Sequence, residues 1–132
     1  MSQPLAPRPP GDLANIVALL AAFRADPQEH LWVFALDASE PPCIASVDLV
    51  SKGHHNTQVV TAAEILRPVI VSGCNRFALA HTHPIDSALP TTEGIALTGQ
   101  IRDLARQLGL ELLDHVILSR IAAYSFAAAG LI

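Results

Sequence analysis

Hydrophobic residues recur at helical spacing in the first part of the chain, between residues 13 and 24. Asp12 precedes this segment as a candidate N-cap, and Pro27 follows it as a helix breaker. The spacing therefore predicts a helix with one buried face. The residues that form this face are Ile16, Leu19, Leu20 and Phe23.

The spacing then becomes typical of β-strands. Residues 30–36 and 43–50 are rich in bulky and β-branched side chains and flank a turn-prone segment, which predicts a β-hairpin. A further short strand is predicted at residues 57–60. A helix is predicted at residues 62–71, because a potential capping threonine precedes it and a glycine follows it.

The second half of the chain contains a strand, a long helix and two more strands. Residues 77–83 form an apolar run that ends in histidines, as expected for a central strand. Thr91 is predicted to cap a helix that continues to residue 108, and strands are predicted at residues 110–118 and 124–127. The helix positions predicted to be buried include Ile95, Ile101, Leu104 and Leu108. This order predicts a single α/β (α+β) domain with a mixed β-sheet sandwiched by helices.

The length of the chain agrees with one domain, since 132 residues suffice for one hydrophobic core. Residues 1–11 contain four prolines and no apolar periodicity, so we expect a disordered N-terminal tail there and a folded domain at residues 12–132. Hydrophobic residues make up 51% of the chain. Either a protein partner or second copy covers some apolar surface, as in a homodimer, or the alanine-rich composition explains the value.

Charge and cysteine usage narrow the function further. The net charge is −4 and the single lysine and seven arginines are dispersed, which disfavours direct nucleic-acid binding. No apolar stretch approaches the length of a membrane helix, and the N-terminus lacks a signal-peptide pattern. Cys43 and Cys74 are far apart and are interpreted as reduced packing thiols, so a cytoplasmic location is expected.

The candidate chemistry lies in the sequence His81-Thr82-His83-Pro84. Two histidines at positions i and i+2 of a strand project to the same side, where their imidazoles can bind one zinc ion. By itself this pattern is weak, because paired histidines also occur in protein cores and on surfaces.

The surrounding sequence resembles the RadC-like branch of the JAB/MPN (JAMM) family. In that family, His-x-His-Pro is followed by a proline-containing loop, a serine, a helix and Leu-Leu-Asp-His before a strand. Residues 81–119 follow this order, with a threonine at the serine position. The likeness extends upstream through Val47-Asp48 to Leu36-Asp37, and downstream to Gly130-Leu131. The resemblance implies a cytidine-deaminase-like fold and the chemistry of a zinc metallopeptidase or isopeptidase.

The family's site residues correspond to positions of this chain, as the resemblance implies. The two zinc-binding histidines are His81 and His83, while the serine that stabilises the oxyanion corresponds to Thr91. The aspartate ligand corresponds to Gly94, and the glutamate that acts as general base corresponds to Asp48. Among these five positions, the histidines alone are unchanged.

The three departures differ in severity. Thr91 keeps a hydroxyl, so capping and oxyanion stabilisation can both survive. Asp48 keeps a carboxylate but is one methylene shorter, which predicts poorer proton transfer. Gly94 has no side chain, so two protein ligands remain where a catalytic zinc usually has three. Asp86 and Glu93 are candidate substitute ligands, although solvated surface carboxylates are the simpler interpretation of each.

Two other histidine-containing sequences have structural interpretations. Asp114-His115 matches the family's Asp-His, but a buried hydrogen bond that organises the sheet explains it. His54-His55 could approach the site, although a polar turn explains these residues more simply.

Three functions follow from these observations. One is a pseudoenzyme, that is, a JAMM-type domain with weakened or lost catalysis that binds a protein, peptide or ubiquitin-like partner. It is favoured because Gly94 lacks the ligand side chain and Asp48 is shorter than the glutamate base. The alternative is an active zinc metallopeptidase or isopeptidase that uses a substitute ligand or water. A DNA-repair accessory role is disfavoured by the acidic charge.

Overall fold

The fold is built around a five-stranded mixed β-sheet. The computed structural model describes residues 14–53 and 61–132. The strands, in chain order, are β1 (Glu29–Leu36), β2 (Ile44–Gly53), β3 (Arg76–Thr82), β4 (Glu111–Leu118) and β5 (Ala123–Ser125). Their order in the sheet is β2-β1-β3-β4-β5, and β3 and β4 are the parallel pair. The central position of β3 agrees with its apolar sequence.

Three α-helices cover the two faces of this sheet. They are α1 (Ala14–Leu19), α2 (Ala62–Ser72) and α3 (Thr92–Gln107), and a short 3-10 helix at Ala21–Phe23 follows α1. Because β3 and β4 are parallel, the chain needs a long crossover between them, and α3 is that crossover. Helices α2 and α3 pack on one face, which we call the α3 face, and α1 packs on the other. This arrangement confirms the predicted mixed sheet between helices.

Alternation along the strands divides the core between these faces. On the α3 face, Leu31 and Leu79 pack against Ile65 and Ile101 of the helices. On the opposite face, buried strand residues pack against α1; they include Phe34, Leu36, Ala80, Val116 and Leu118. Both faces of β1, β3 and β4 are therefore buried, so polar side chains at the strand ends are the ones that can reach a site.

Helix capping explains where α2 begins and ends. Thr61 Oγ1 accepts a hydrogen bond from the Glu64 backbone N–H at 3.2 Å, and Glu64 Oε1 accepts one from the Thr61 N–H at 3.1 Å. This reciprocal capping box fixes the first turn. Gly73, at φ 77°, ends the helix in the left-handed conformation that glycine adopts without strain.

Most predicted elements agree with the structure within one to three residues, but the single helix predicted at residues 13–24 is divided into α1, which ends at Leu19, and the 3-10 helix at Ala21–Phe23. Several buried positions were also predicted wrongly. Leu19 is 57% exposed, Leu108 is 52% exposed and Ile95 is 39% exposed. The buried faces of α1 and α3 are therefore narrower than the hydrophobic spacing indicated. The predicted tail at residues 1–11 and the predicted strand at residues 57–60 lie outside the described residues.

The cysteines do not have the predicted packing role. Cys43 is exposed and Cys74 is partly exposed, and neither forms a disulfide within the described part of the chain. In residues 14–53 and 61–132, no helix is long and apolar enough to cross a membrane.

Candidate metal centre

The two histidines of the His-Thr-His sequence lie together at the end of β3. Alternation places both side chains on the α3 face, and their ring centroids are 4.7 Å apart with the planes at 79°. His83 is 3% exposed, and its backbone N–H donates to the Leu118 carbonyl of β4 at 2.8 Å. The Nδ1 atom of His83 is 3.3 Å from the Ser87 carbonyl, which can only accept a hydrogen bond. In a neutral His83 ring, this contact is a hydrogen bond donated by Nδ1, and Nε2 is then the nitrogen that can bind a metal.

A buried carboxylate joins the histidine pair. Glu29, the first residue of β1, is 4% exposed, and its Oε1 atom contacts Nε2 of His81. One donor atom from each of Glu29, His81 and His83 can be chosen so that all three lie within 4.8 Å of one another. Imidazole nitrogens and a carboxylate oxygen are ligands that zinc accepts, so this donor set fits a zinc ion.

The N-terminus of α3 forms the opposite wall of the site. Thr91 is the N-cap, and its Oγ1 atom accepts a hydrogen bond from the Gly94 N–H at 3.0 Å. A hydroxyl that accepts a backbone hydrogen bond still carries a proton to donate, so Thr91 keeps the property expected of an oxyanion donor. Both Thr91 and Gly94 line the same cavity as Glu29 and His81, and the cavity volume is about 560 Å³.

Comparison with known proteins agrees with this geometry. A family model described as the RadC-like JAB domain matches residues 9–131. The chain belongs to the RadC-like JAB domain family.

Curated relatives support the assignment. The JAB domain is 32% identical to a UPF0758 protein of Finegoldia magna over 91 residues, which are 69% of this chain and 40% of that protein. It is 32% identical to a UPF0758 protein of Coprothermobacter proteolyticus over 105 residues, 80% of this chain and 44% of the relative. A UPF0758 protein of Chlorobium chlorochromatii is 30% identical over 105 residues, 80% of this chain and 46% of the relative. The chain spans less than half the length of these relatives.

The structure of the JAB domain brings Glu29, rather than Asp48, to the histidines. Asp48 lies on the edge strand β2 opposite Val33, and Val33 pairs in turn with Leu79 of β3. Asp48 is therefore two strands, or about 10 Å, from β3 and is also displaced along the sheet from His81. The expectation that Asp48 lies beside the histidines as the general base was therefore wrong about its position.

Glu29 was missed because the first hairpin strand was predicted to begin at residue 30. The signal was present, since Glu29, Leu31 and Val33 alternate along one face of β1. Extending the β1–β3 register one residue beyond the pair His30–Thr82 sets Glu29 opposite His83. The carboxylate next to the histidines therefore comes from β1, the strand that pairs with β3.

The two candidate substitute ligands lie in different surroundings. Asp86 is exposed and forms an ion pair with Arg120, with 3.1 Å between Oδ1 and Nη2, so its carboxylate has a partner away from the histidines. Glu93 lines the cavity but is exposed and is absent from the group of close metal donors in the described structure. His54-His55 lies outside the described residues.

The Asp-His pair of β4 has two separate roles. The buried carboxylate of Asp114 accepts hydrogen bonds from the backbone N–H of His115 at 2.7 Å, the Ser125 hydroxyl at 2.6 Å and the Ala127 N–H at 3.0 Å. This part agrees with the structural interpretation of the pair.

The side chain of His115, in contrast, lines the cavity, and its ring centroid is 6.0 Å from that of His81. Burial lowers the pKa of His115 well below its ordinary value, and the neighbouring imidazoles of His81 and His83 lower it further. His115 is therefore a neutral imidazole at the wall of the site.

Proposed function

We propose that this RadC-like JAB domain binds one zinc ion through His81 and His83 and hydrolyses an amide bond in a peptide or isopeptide, with Glu29 as general base. The observation that carries the proposal is the convergence of Glu29, His81 and His83 within 4.8 Å at one end of the sheet. Glu29 and His81 line the cavity, and the ring of His83 lies 4.7 Å from that of His81. A buried carboxylate beside two imidazoles provides groups that metal-assisted hydrolysis uses.

When bound, zinc would supply an activated water and polarise the substrate carbonyl. The task of Glu29 is to receive a proton at its carboxylate and to pass it to the leaving amine. Its burial next to His81 suits this task, because the side chain is held in one position beside the histidine pair. In this proposal the general base is the glutamate Glu29, and the shorter side chain of Asp48 is not needed for proton transfer.

Thr91 is proposed to stabilise the developing oxyanion. Its hydroxyl lies at the N-terminus of α3, where the helix dipole also favours negative charge. The bond that caps the helix is accepted by Oγ1, so it orients the hydroxyl without consuming its proton. A serine at this position would have the same polar group without the methyl.

The substrate is proposed to be a protein or peptide, a ubiquitin-like tail included. The cavity wall combines polar groups with Leu31, Leu79 and Leu97, a mixture that suits an extended polypeptide. A cytoplasmic location would agree with the two free cysteines, and the net charge of −4 disfavours a direct nucleic-acid substrate. A homodimer would cover exposed side chains such as Val47 and Leu49 of β2.

Gly94 favours a second candidate, a metal-binding or partner-binding module without catalysis. Gly94 has no side chain at the position of the family's aspartate ligand. Two histidines alone bind zinc less tightly than three protein ligands do. In that case the JAB domain would keep the cavity as a recognition site for a protein partner.

Hydrolysis of model substrates separates these candidates. Chelator-treated protein is assayed with and without one equivalent of zinc on peptides and on lysine-ε-linked isopeptides. Zinc-dependent cleavage that chelator abolishes and added zinc restores supports the hydrolase. Zinc binding without cleavage of either bond type supports the binding module.

A further inference from the structure

His115 has a fixed tautomer, which follows from its contact with Thr98 of α3. The Thr98 hydroxyl donates its one proton to the Gly94 carbonyl at 2.8 Å. The distance from Thr98 Oγ1 to His115 Nδ1 is also 2.8 Å, and since the hydroxyl has no second proton, Nδ1 must be the donor there. The ring proton is therefore on Nδ1, and Nε2 carries an unshared electron pair.

The Nε2 atom has no hydrogen-bond partner among the described residues, although it is buried. His115 is 6% exposed, and its ring is stacked on Phe126 at 4.6 Å between centroids. A buried acceptor without a partner is unfavourable, and it calls for a group that the described chain does not contain. That group must be an electron-pair acceptor, either a metal ion or a hydrogen-bond donor.

His115 lies next to His81 at the wall of the same cavity. Two imidazoles bound to one tetrahedral zinc ion have ring centroids about 5 Å apart. The His81–His83 separation is 4.7 Å and the His81–His115 separation is 6.0 Å. His115 thus lies beside the close donor group of Glu29, His81 and His83 rather than within it, and zinc binding would draw its ring toward the pair. A metal-bound histidine also typically donates its other ring N–H to a fixed oxygen, as His115 does to Thr98.

Gly94 links this arrangement to the missing ligand. The residue lines the cavity without a side chain, and its carbonyl holds the Thr98 hydroxyl that fixes the His115 tautomer. The first turn of α3, which lacks the aspartate ligand, therefore orients the ring of His115 on β4 through Thr98. We propose that His115 supplies, through Nε2, the metal ligand that Gly94 cannot provide. This inference rests on the proposed zinc site.

The tautomer and the ligand role are tested by nitrogen NMR of the imidazoles. In chelator-treated protein, the proton of His115 is expected on Nδ1, and Nε2 is expected to have the shift of an unprotonated nitrogen. One equivalent of zinc should then move the Nε2 resonance. Zinc that binds without moving this resonance overturns the inference and leaves the proposed function standing.

Zinc affinity of matched variants provides the second readout. His115→Asn keeps an N–H donor for Thr98 and removes the Nε2 ligand, so at least a tenfold loss of zinc affinity is expected. Thr98→Val should weaken binding by roughly 10- to 100-fold because the tautomer is no longer fixed, and Thr98→Ser should restore it. His30→Asn, a buried histidine on the opposite face of the sheet, is the control for general destabilisation.

The outcomes distinguish the inference from the function on which it rests. Unchanged zinc affinity in His115→Asn overturns the His115 ligand while the histidine pair retains its role. A natural protein that binds no zinc contradicts both proposals. If His115→Asn fails to fold, the NMR measurement on the natural protein decides.

Discussion

The carboxylate of Glu29 contacts Nε2 of His81, although 52 residues separate them in the sequence. The antiparallel register of β1 and β3 brings them together, since Leu31 pairs with His81 and the preceding residue on the same face is Glu29. This contact gives the RadC-like JAB domain a buried acid beside its histidine pair. With Glu29 as the proposed base, the shorter carboxylate at position 48 no longer argues for a pseudoenzyme.

Glu29 and Asp48 make a matched pair of carboxylates for testing the general base. Glu29→Gln is expected to lower kcat of zinc-dependent hydrolysis by roughly 100- to 10,000-fold, because the proton acceptor is lost. Asp48→Asn is expected to leave kcat unchanged, since residue 48 lies opposite Val33 on the edge strand. Equal losses in both variants, measured at saturating substrate, would contradict the assignment of Glu29.

Restoring a carboxylate at position 94 should strengthen metal binding. Gly94→Asp is expected to raise zinc affinity by at least tenfold, because it adds a ligand next to the existing cluster. A Cβ at this position meets Thr91 Oγ1 at 3.2 Å, so the cap must shift by a few tenths of an ångström. Gly94→Ala introduces the same crowding without a ligand and is the control in a competition assay with a zinc chelator. An equal affinity in the two variants would count against position 94 facing the metal.

The candidate substitute ligands Asp86 and Glu93 are expected to matter little. Asp86→Asn should leave zinc affinity unchanged, because the carboxylate is engaged with Arg120 at the surface. Glu93→Gln should change it by less than threefold, a shift well under 1 kcal/mol. Titration of each variant with zinc checks this, and a tenfold loss in either would identify that acid as the third ligand instead of His115.

Asp114 is expected to be important for stability, because its buried carboxylate accepts hydrogen bonds from Ser125, Ala127 and the His115 backbone. Asp114→Ala should lower the free energy of unfolding by about 3 kcal/mol, since buried donors lose a charged acceptor. Asp103→Ala removes an exposed carboxylate of α3 and should change this energy by less than about 0.5 kcal/mol. Urea denaturation of zinc-free protein measures both, and similar effects would contradict the role of Asp114.

Local sequence patterns were sufficient to predict most of the fold. Apolar runs and turn residues located the five strands, and Thr91 and Gly73 marked helix ends because capping depends on neighbouring residues. Burial was less predictable, as exposed Leu19 and Leu108 illustrate. Hydrophobic spacing identifies a helix face, but the width that neighbours cover depends on tertiary packing.

The site was predictable only where its residues are close in sequence. His81 and His83 were found because two strand positions suffice to bring their rings together. Glu29 depends on the pairing of β1 with β3, and the orientation of His115 depends on the contact of β4 with Thr98 of α3. Such relations are set by strand register and helix docking, which the local pattern does not specify.

Calorimetric titration of chelator-treated protein with zinc tests the central claim most directly. The natural protein is expected to bind one zinc ion per chain, and the double variant His81→Ala, His83→Ala is expected to bind none, while His30→Ala retains the natural stoichiometry. Unchanged binding by the folded double variant, or no binding by the natural protein, would contradict a metal centre at the end of β3.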